Sequence, residues 1–204
     1  MIINIRGTNG SGKTTLARQL IGENATPIDL VEYPSPTKKD PDRKRWVEGW
    51  GVPNNFLAIG SYRQGCGGMD TIPSFALQQQ AVENAVNWNR GHGTRHMAGD
   101  SPEHVVCEGV LASTVAGSWL EFFSRFKSQT LIAYLDTPLE VCLERITARQ
   151  IAAKGEAREI KVDLVRDKIK AIEATRARFD VAGIRTVTLN WRDPVHHLKE
   201  ALRG

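Results

Sequence analysis

The sequence predicts an α/β domain in which helices cover both faces of a mostly parallel β-sheet. Three observations carry that expectation. Short apolar runs alternate with amphipathic stretches along the whole chain. The first run, Ile2–Arg6, passes straight into a glycine-rich loop that opens a helix. Neither an internal repeat nor a low-complexity linker interrupts the 204 residues, a length that fits one domain with a full core and is short for two.

Taken in order, residues 2–6 read as a buried strand and 14–21 as the helix behind the glycine loop. Residues 28–33 form a second apolar stretch, stopped by Pro34-Ser35-Pro36. Residues 45–50 and 56–60 are strands joined by Gly51-Val52-Pro53-Asn54-Asn55, the pattern of a hairpin. A glycine-rich loop, 61–73, leads to a helix near 74–89 in which Leu77, Ala81, Ala85 and Trp88 share a face. The polar segment 92–102 reads as a loop, and 104–107 as a strand ending at Glu108-Gly109. Residues 119–126 make a short helix with aromatic anchors. After a further parallel strand at 131–135, Pro138 opens a helix with Leu139, Cys142 and Ile146 facing inward. A charged stretch gives way to a helix over 161–179, and 185–189 is the last core strand. Pro194 begins a closing helix behind Asp193, a residue suited to cap it.

Composition narrows the class. With 41% hydrophobic and 25% charged residues the chain is that of a globular protein. Its start lacks the pattern of a signal peptide, and no stretch approaches the ~20 apolar residues that a membrane span needs. Cys66, Cys107 and Cys142 are widely spaced and form no CxxC pair, which fits free thiols in a reducing cytoplasm rather than a disulfide frame or zinc site. The net charge of +4 is concentrated: Lys38, Lys39, Arg43, Lys44 and Arg45 stand against Asp40 and Asp42 only. That surplus fits a polyanionic partner or a solvated loop.

The chemistry is carried first by Gly7-Thr8-Asn9-Gly10-Ser11-Gly12-Lys13-Thr14, a full match to G-x-x-x-x-G-K-[ST] between an apolar strand and an amphipathic helix. The backbone from Thr8 through Asn9, Gly10, Ser11, Gly12, Lys13, Thr14 and Thr15 is therefore expected to wrap the phosphates of ATP at a helix N-terminus. Lys13 would reach the β- and γ-phosphates and the Thr14 hydroxyl would ligate Mg²⁺. A guanine-reading N-K-x-D is absent, and the D-x-x-G spelled by Asp180 to Gly183 falls where a helix is expected to stop. Motor-type ATPases usually end the next core strand in two acids; here Glu108 alone follows Val105-Val106-Cys107, a carboxylate suited to Mg²⁺ or its water shell.

The segment from Tyr134 to Arg149, with Asp136-Thr137-Pro138 leading into a helix, resembles the strand–D-x-P–helix–R-x-x-x-R segment of nucleoside and nucleotide kinases. Arg145 and Arg149, four apart, share a helix face and would clamp the transferring phosphoryl oxygens opposite Lys13. The charged residues that follow would form a lid over about 145–165 that closes to exclude water. In such kinases the loop after the last strand lies near the adenine, so the resemblance offers Trp191 or Arg192 as a cover for the base; a core tryptophan is the other reading.

On the acceptor side, Gly60-Ser61-Tyr62-Arg63-Gln64-Gly65-Cys66-Gly67-Gly68-Met69-Asp70-Thr71-Ile72 is similar to a run in bacteriophage P-loop kinases. That group includes enzymes that phosphorylate 5-hydroxymethyluracil in DNA during thymidine hypermodification. The resemblance implies a P-loop kinase-type three-layer sandwich over 1–204, with a five-stranded mostly parallel sheet, an inserted β-hairpin in an acceptor region of about 34–73, and a helical lid. It implies ATP and Mg²⁺, DNA containing 5-hydroxymethyluracil as partner, no membrane, and the host cytoplasm as location. Gly67 and Gly68 would let backbone approach a base or sugar, and Asp70 would take the proton of the attacking hydroxyl, with Asp29 and Glu32 as fallbacks. Asp70 is equally a turn or cap residue before the helix near 74–89. Tyr62 would stack on a base or pack beneath the loop, with Arg63 beside it. Arg43 and Lys44, leading to Trp46 and Trp50, pair phosphate-gripping charge with aromatics that stack or wedge a flipped base aside. His92, His96 and His104 lack metal-ligand spacing. Three functions stay open: a 5-hydroxymethyluracil DNA kinase, a kinase of free nucleosides or monophosphates, and an ATP-dependent DNA-binding module.

Overall fold

Parallel strands β4 (Phe56–Ile59), β5 (His104–Glu108), β1 (Ile2–Arg6), β6 (Thr130–Asp136) and β7 (Arg185–Asn190) lie side by side in that order, in a computed structural model that describes residues 1–51, 55–63, 67–87 and 102–203. Two antiparallel strands, β2 (Thr26–Pro34) and β3 (Lys44–Gly51), extend the sheet past β4 to seven strands. The central β1 is buried at all five of its residues, as a strand covered on both faces must be.

Alternation along the strands assigns the two layers of helix. Ile3, Ile5, Ala58, Val106, Ala133 and Leu189 point to the side packed by α1 (Lys13–Ile21) and α7 (Pro194–Arg203). Ile2, Leu57, Val105, Cys107 and Ile132 point to the other, covered by α2 (Phe75–Val86), α3 (Val110–Thr114), α4 (Gly117–Arg125) and α6 (Val162–Val181). The aromatic anchors read in the sequence form the hub of this second layer. Trp119 stacks on Phe123 at 5.2 Å and meets Phe122 edge-on at 5.6 Å, and all three are buried. Helix α5 (Leu139–Lys154) carries buried Cys142 and Ile146 and is joined by residues 155–161 to α6, so the expected lid region is a helical hairpin. Ser74 caps α2 by accepting from the Leu77 N–H at 3.3 Å, and Asp193 accepts from the His196 N–H of α7 at the same distance. None of the described helices is long and apolar enough to cross a membrane.

Two details differ from the sequence expectation. The 45–50 and 56–60 segments do pair antiparallel, through Gly49↔Ile59, Trp50↔Ala58 and Gly51↔Leu57, but β4 is also a member of the parallel core. The longer ribbon is β2–β3, so the addition to the five-stranded core begins at Thr26 rather than near 34. The apolar stretch 28–33 is an outer strand because only one of its faces is packed, with Leu30 and Val31 buried against the α2 side. Residues 52–54, 64–66, 88–101 and 204 lie outside the described residues, and with them Gln64, Gly65, Cys66, Trp88, His92 and His96. His104 opens β5, its ring 4.8 Å from that of Phe56.

Candidate active site

The glycine loop leaves the C-terminal end of β1, the middle one of the five parallel strands, and turns into α1. Gly10 and Gly12 have φ of +77° and +100°. A Cβ on Gly10 would also collide with the Cys142 carbonyl of α5, so both backbone angle and space exclude a side chain there. Lys13, 6% exposed, folds back so that its Nζ donates to the carbonyls of Gly7 (2.8 Å) and Thr8 (2.9 Å). Burial lowers its pKa, the nearby Glu108 and Asp70 carboxylates opposing that shift. The buried hydroxyls of Thr8 and Ser11 have no hydrogen-bond partner among the described residues.

Glu108 closes the end of β5 beside this loop. It is 1% exposed, and its Oε1 accepts from Thr14 Oγ1 at 2.9 Å and from Tyr62 Oη at 3.5 Å. Burial pushes its carboxyl up to about 7, while Lys13 and the Thr14 hydroxyl pull the other way. A hydroxyl and a carboxylate in contact, next to a lysine on a glycine cradle, form the donor set that MgATP requires, so the residues present fit that pair.

The loop that carries Gly67, Gly68 and Asp70 sits against the same carboxylate. Gly68, at φ +79°, leaves no room for a Cβ because Glu108 fills the space. Tyr62 is buried beneath the loop, and a Cβ on Gly67 would come within 2.9 Å of its ring; of the two readings for Tyr62, packing is the one seen. Asp70 bridges outward: its Oδ2 accepts from the Val110 N–H at 2.8 Å and its Oδ1 from the Leu111 N–H at 3.2 Å. It therefore holds the start of α3 rather than α2, the helix the sequence suggested.

Lys13, Thr14, Glu108, Gly67, Asp70, Arg145, Arg149 and Trp191 all line one cavity of about 720 Å³, with Asn9 through Thr15 on its wall. Arg145 Nη1 reaches the carbonyls of Gly10 (3.4 Å) and Ser11 (3.3 Å). Its guanidinium lies 5.2 Å from the Trp191 ring, and that of Arg192 lies 5.0 Å from the same ring. Trp191 is thus a cavity wall and not a core residue.

Other expectations land elsewhere. Arg63 points away from the cavity, bonded to Glu48 at 2.7 and 3.3 Å and lying over Trp50 at 5.3 Å. Asp29 and Glu32 lie on β2 at the sheet edge and do not line the cavity. Arg43, Lys44 and Trp46 belong to the β2–β3 ribbon and its turn, also outside the cavity lining.

The sequence reading missed a buried polar brace beneath the phosphate loop. Arg6, 0% exposed, donates from Nε to Asn4 Oδ1 (2.6 Å) and from Nη1 to the Ser113 carbonyl (3.2 Å) and Thr175 Oγ1 (3.1 Å). It lies 4.4 Å from the Phe179 ring, and burial brings its pKa down to about 10. Ser113 Oγ accepts from the Gly7 N–H at 3.3 Å, so α3 ties Asp70 at one end to the phosphate loop at the other. Two polar residues, Asn4 and Arg6, on one face of a strand otherwise made of isoleucine were the signal available.

Residues 54–187 match the family model for 5-hmdU DNA kinase. Relatives described as 5-hmdU DNA kinase occur in Pseudomonas phage M6, 32% identical over 99% of this chain and 97% of theirs, and in Pseudomonas phage PaMx11, 32% identical over 100% and 97%. The solved deoxyadenosine kinase from M. mycoides with bound dATP aligns over the whole of both chains at 10% identity, with a TM-score of 0.37, too slight a likeness to add to the geometry.

Proposed function

The chain belongs to the 5-hmdU DNA kinase family and is a kinase, and from that premise we propose that it transfers the γ-phosphoryl group of ATP to the hydroxymethyl oxygen of 5-hydroxymethyluracil in DNA. The observation that carries the proposal is a single cavity with phosphate-binding groups on one wall and a glycine-lined loop bearing a carboxylate on the other. In the reaction the acceptor oxygen bonds to the γ-phosphorus, the bond from that phosphorus to the leaving ADP oxygen breaks, and the hydroxyl proton leaves to a carboxylate.

The residues divide that work. The backbone from Thr8 to Thr15 holds the phosphates, and Lys13 turns from the loop carbonyls to the transferring group. Thr14 and Glu108 would hold Mg²⁺, which neutralises charge on the β- and γ-phosphates when bound. Arg145 and Arg149 approach from α5 and stabilise the charge that spreads over the phosphoryl oxygens. Trp191, on the cavity wall, offers its ring to the adenine. Asp70 takes the acceptor proton; each of its oxygens retains a second lone pair beside the one used on α3. Gly67 and Gly68 allow the base to come close, while Tyr62 supports that loop from below. The α5–α6 hairpin over about 145–165 serves as the lid that excludes water, and the whole of 1–204 acts as one domain in the cytoplasm of an infected host, within thymidine hypermodification.

The test offers γ-labelled ATP with DNA carrying 5-hydroxymethyluracil, with 5′-hydroxyl DNA, and with free nucleosides and monophosphates. Label on the modified DNA is expected. Label on free nucleosides or monophosphates alone would replace the DNA reading with that of a small-molecule kinase.

A further inference from the structure

We propose that the outer half of the β2–β3 ribbon is an arm that docks the sugar–phosphate backbone of duplex DNA beside the transfer cavity. The proposal rests on the DNA reading above for what enters the cavity; the arm itself rests on separate observations.

The first is register. β3 pairs with β4 only from Gly49 to Gly51, and one further bond joins the Gly60 N–H to the Glu48 carbonyl at 2.7 Å. Outward from Glu48 to Lys44, β3 pairs with β2 alone. β3 runs antiparallel to β4, and β4 runs with β5 and β1. The Lys44 end therefore points in the direction in which β1 delivers the phosphate loop. Residues 44–48, at ~3.4 Å each, carry the ribbon roughly 17 Å beyond its last ladder pair with β4.

The second is anchorage. Leu30, Val31 and Val47 are buried, and Asn84 Nδ2 of α2 donates to the Leu30 carbonyl at 2.9 Å, so the inner part is fixed to the domain. The turn beyond is exposed but shaped: the Ser35 N–H donates to the Arg43 carbonyl at 2.8 Å, and the Thr37 N–H to the Asp40 carbonyl at 2.8 Å. Trp50 belongs to the scaffold, its Nε1 bonded to Glu48 at 3.1 Å and its ring covered by Arg63. Trp46, two positions after Lys44 on the same face of β3, is half-buried.

The third is charge. Lys44 is paired with Glu32 at 3.2 Å, which leaves Lys38, Lys39, Arg43 and Arg45 to set the sign of the tip against Asp40 and Asp42. A narrow, hydrogen-bonded ribbon with a basic tip suits a DNA groove and its flanking phosphates, which admit a two-stranded ribbon. Standing beside the cavity, such an arm would hold the duplex while one base is turned out of the stack.

The experiment titrates a short fluorescein-labelled duplex bearing one 5-hydroxymethyluracil, without ATP, across about 50–200 mM salt. Wild type is compared with Lys38→Ala/Lys39→Ala/Arg43→Ala, and thermal melting checks folding. The expected result is binding at least about tenfold weaker and a log–log salt slope shallower by about 2–3, near 0.9 for each lost phosphate contact. Should the triple variant melt early, Lys38→Ala/Lys39→Ala, confined to the exposed turn, gives the same readout with a change of about 2. An unchanged affinity and slope in a folded variant overturns the proposal, as does wild type that binds the duplex without salt dependence. Failure of the acceptor reading shows separately, as absence of label on modified DNA, because duplex binding requires no turnover.

Discussion

Replacing Glu108 by glutamine removes a carboxyl group that the fold buries to 1% exposure and keeps an oxygen able to accept from Thr14 Oγ1. Burial raises that carboxyl from 4.5 to about 7 in the folded chain. At about 1.4 kcal/mol per pH unit, that difference makes the ionised group cost the folded state on the order of 3 kcal/mol. The sign follows from proton counting. Between pH 4.5 and about 7 the folded chain keeps a proton that the unfolded chain has released, so stability falls as pH rises through that window. Below it both states are protonated and the group costs nothing; above it the full cost applies. The assay is urea denaturation of nucleotide-free wild type and Glu108→Gln at about pH 5 and pH 8, with the difference between proteins isolating this one group. The variant should gain roughly 2–3 kcal/mol relative to wild type between the two pH values. The same variant should transfer phosphate more slowly, because the neutral amide is a poor partner for a metal ion. If the two proteins keep a constant stability difference from pH 5 to pH 8, Glu108 is not a strained carboxylate and the electrostatic account of the site is wrong.

Three further outcomes follow from the same geometry. Lys13→Ala should lower kcat by about 10²–10³ or more, read by label transfer, since it removes the cation nearest the transferring group. Asp70→Asn should lower kcat by about 10²–10⁴ with little change in the KM for ATP; a variant that keeps its turnover would reduce Asp70 to a support for α3. Arg6→Met leaves Asn4 Oδ1 without its donor, removes one donor each from the Ser113 carbonyl and Thr175 Oγ1, and should destabilise the protein by about 1–3 kcal/mol in denaturant. A stabilised Arg6→Met protein would mean that desolvating the guanidinium outweighs its bonds.

The parts legible in the sequence were those that declare themselves over a few neighbouring residues. Gly7 to Thr14 states its own geometry, because φ above zero at Gly10 and Gly12 and the collision of a Gly10 Cβ with Cys142 leave no other residue type. The four-residue spacing of Arg145 and Arg149 placed them on one helix face, and the cavity includes both. What could not be read was pairing at a distance. Asp70 looks like a residue that starts the next helix, yet its bonds go to Val110 and Leu111, some forty residues later. Arg63 looks like part of the acceptor loop, but Glu48 and Trp50, across the β3–β4 pair, turn it outward. Residues 28–33 have the apolar content of a core strand; only the sheet order shows that one face is packed.

The central place of β1 has a consequence for how the enzyme comes into being. Ile2 pairs with Val105 on one side and with Thr130 on the other, so β1 waits for about a hundred further residues before either neighbour exists. During synthesis the β2–β3 ribbon, whose partners are close in sequence, can form long before the nucleotide site that it flanks. The loop after β1 emerges well before β5 and β6 and is seated only once they have enclosed the strand that carries it. A nascent chain released before Thr130 would thus hold every residue of the phosphate-binding motif and still lack at least one of the two strands that seat it.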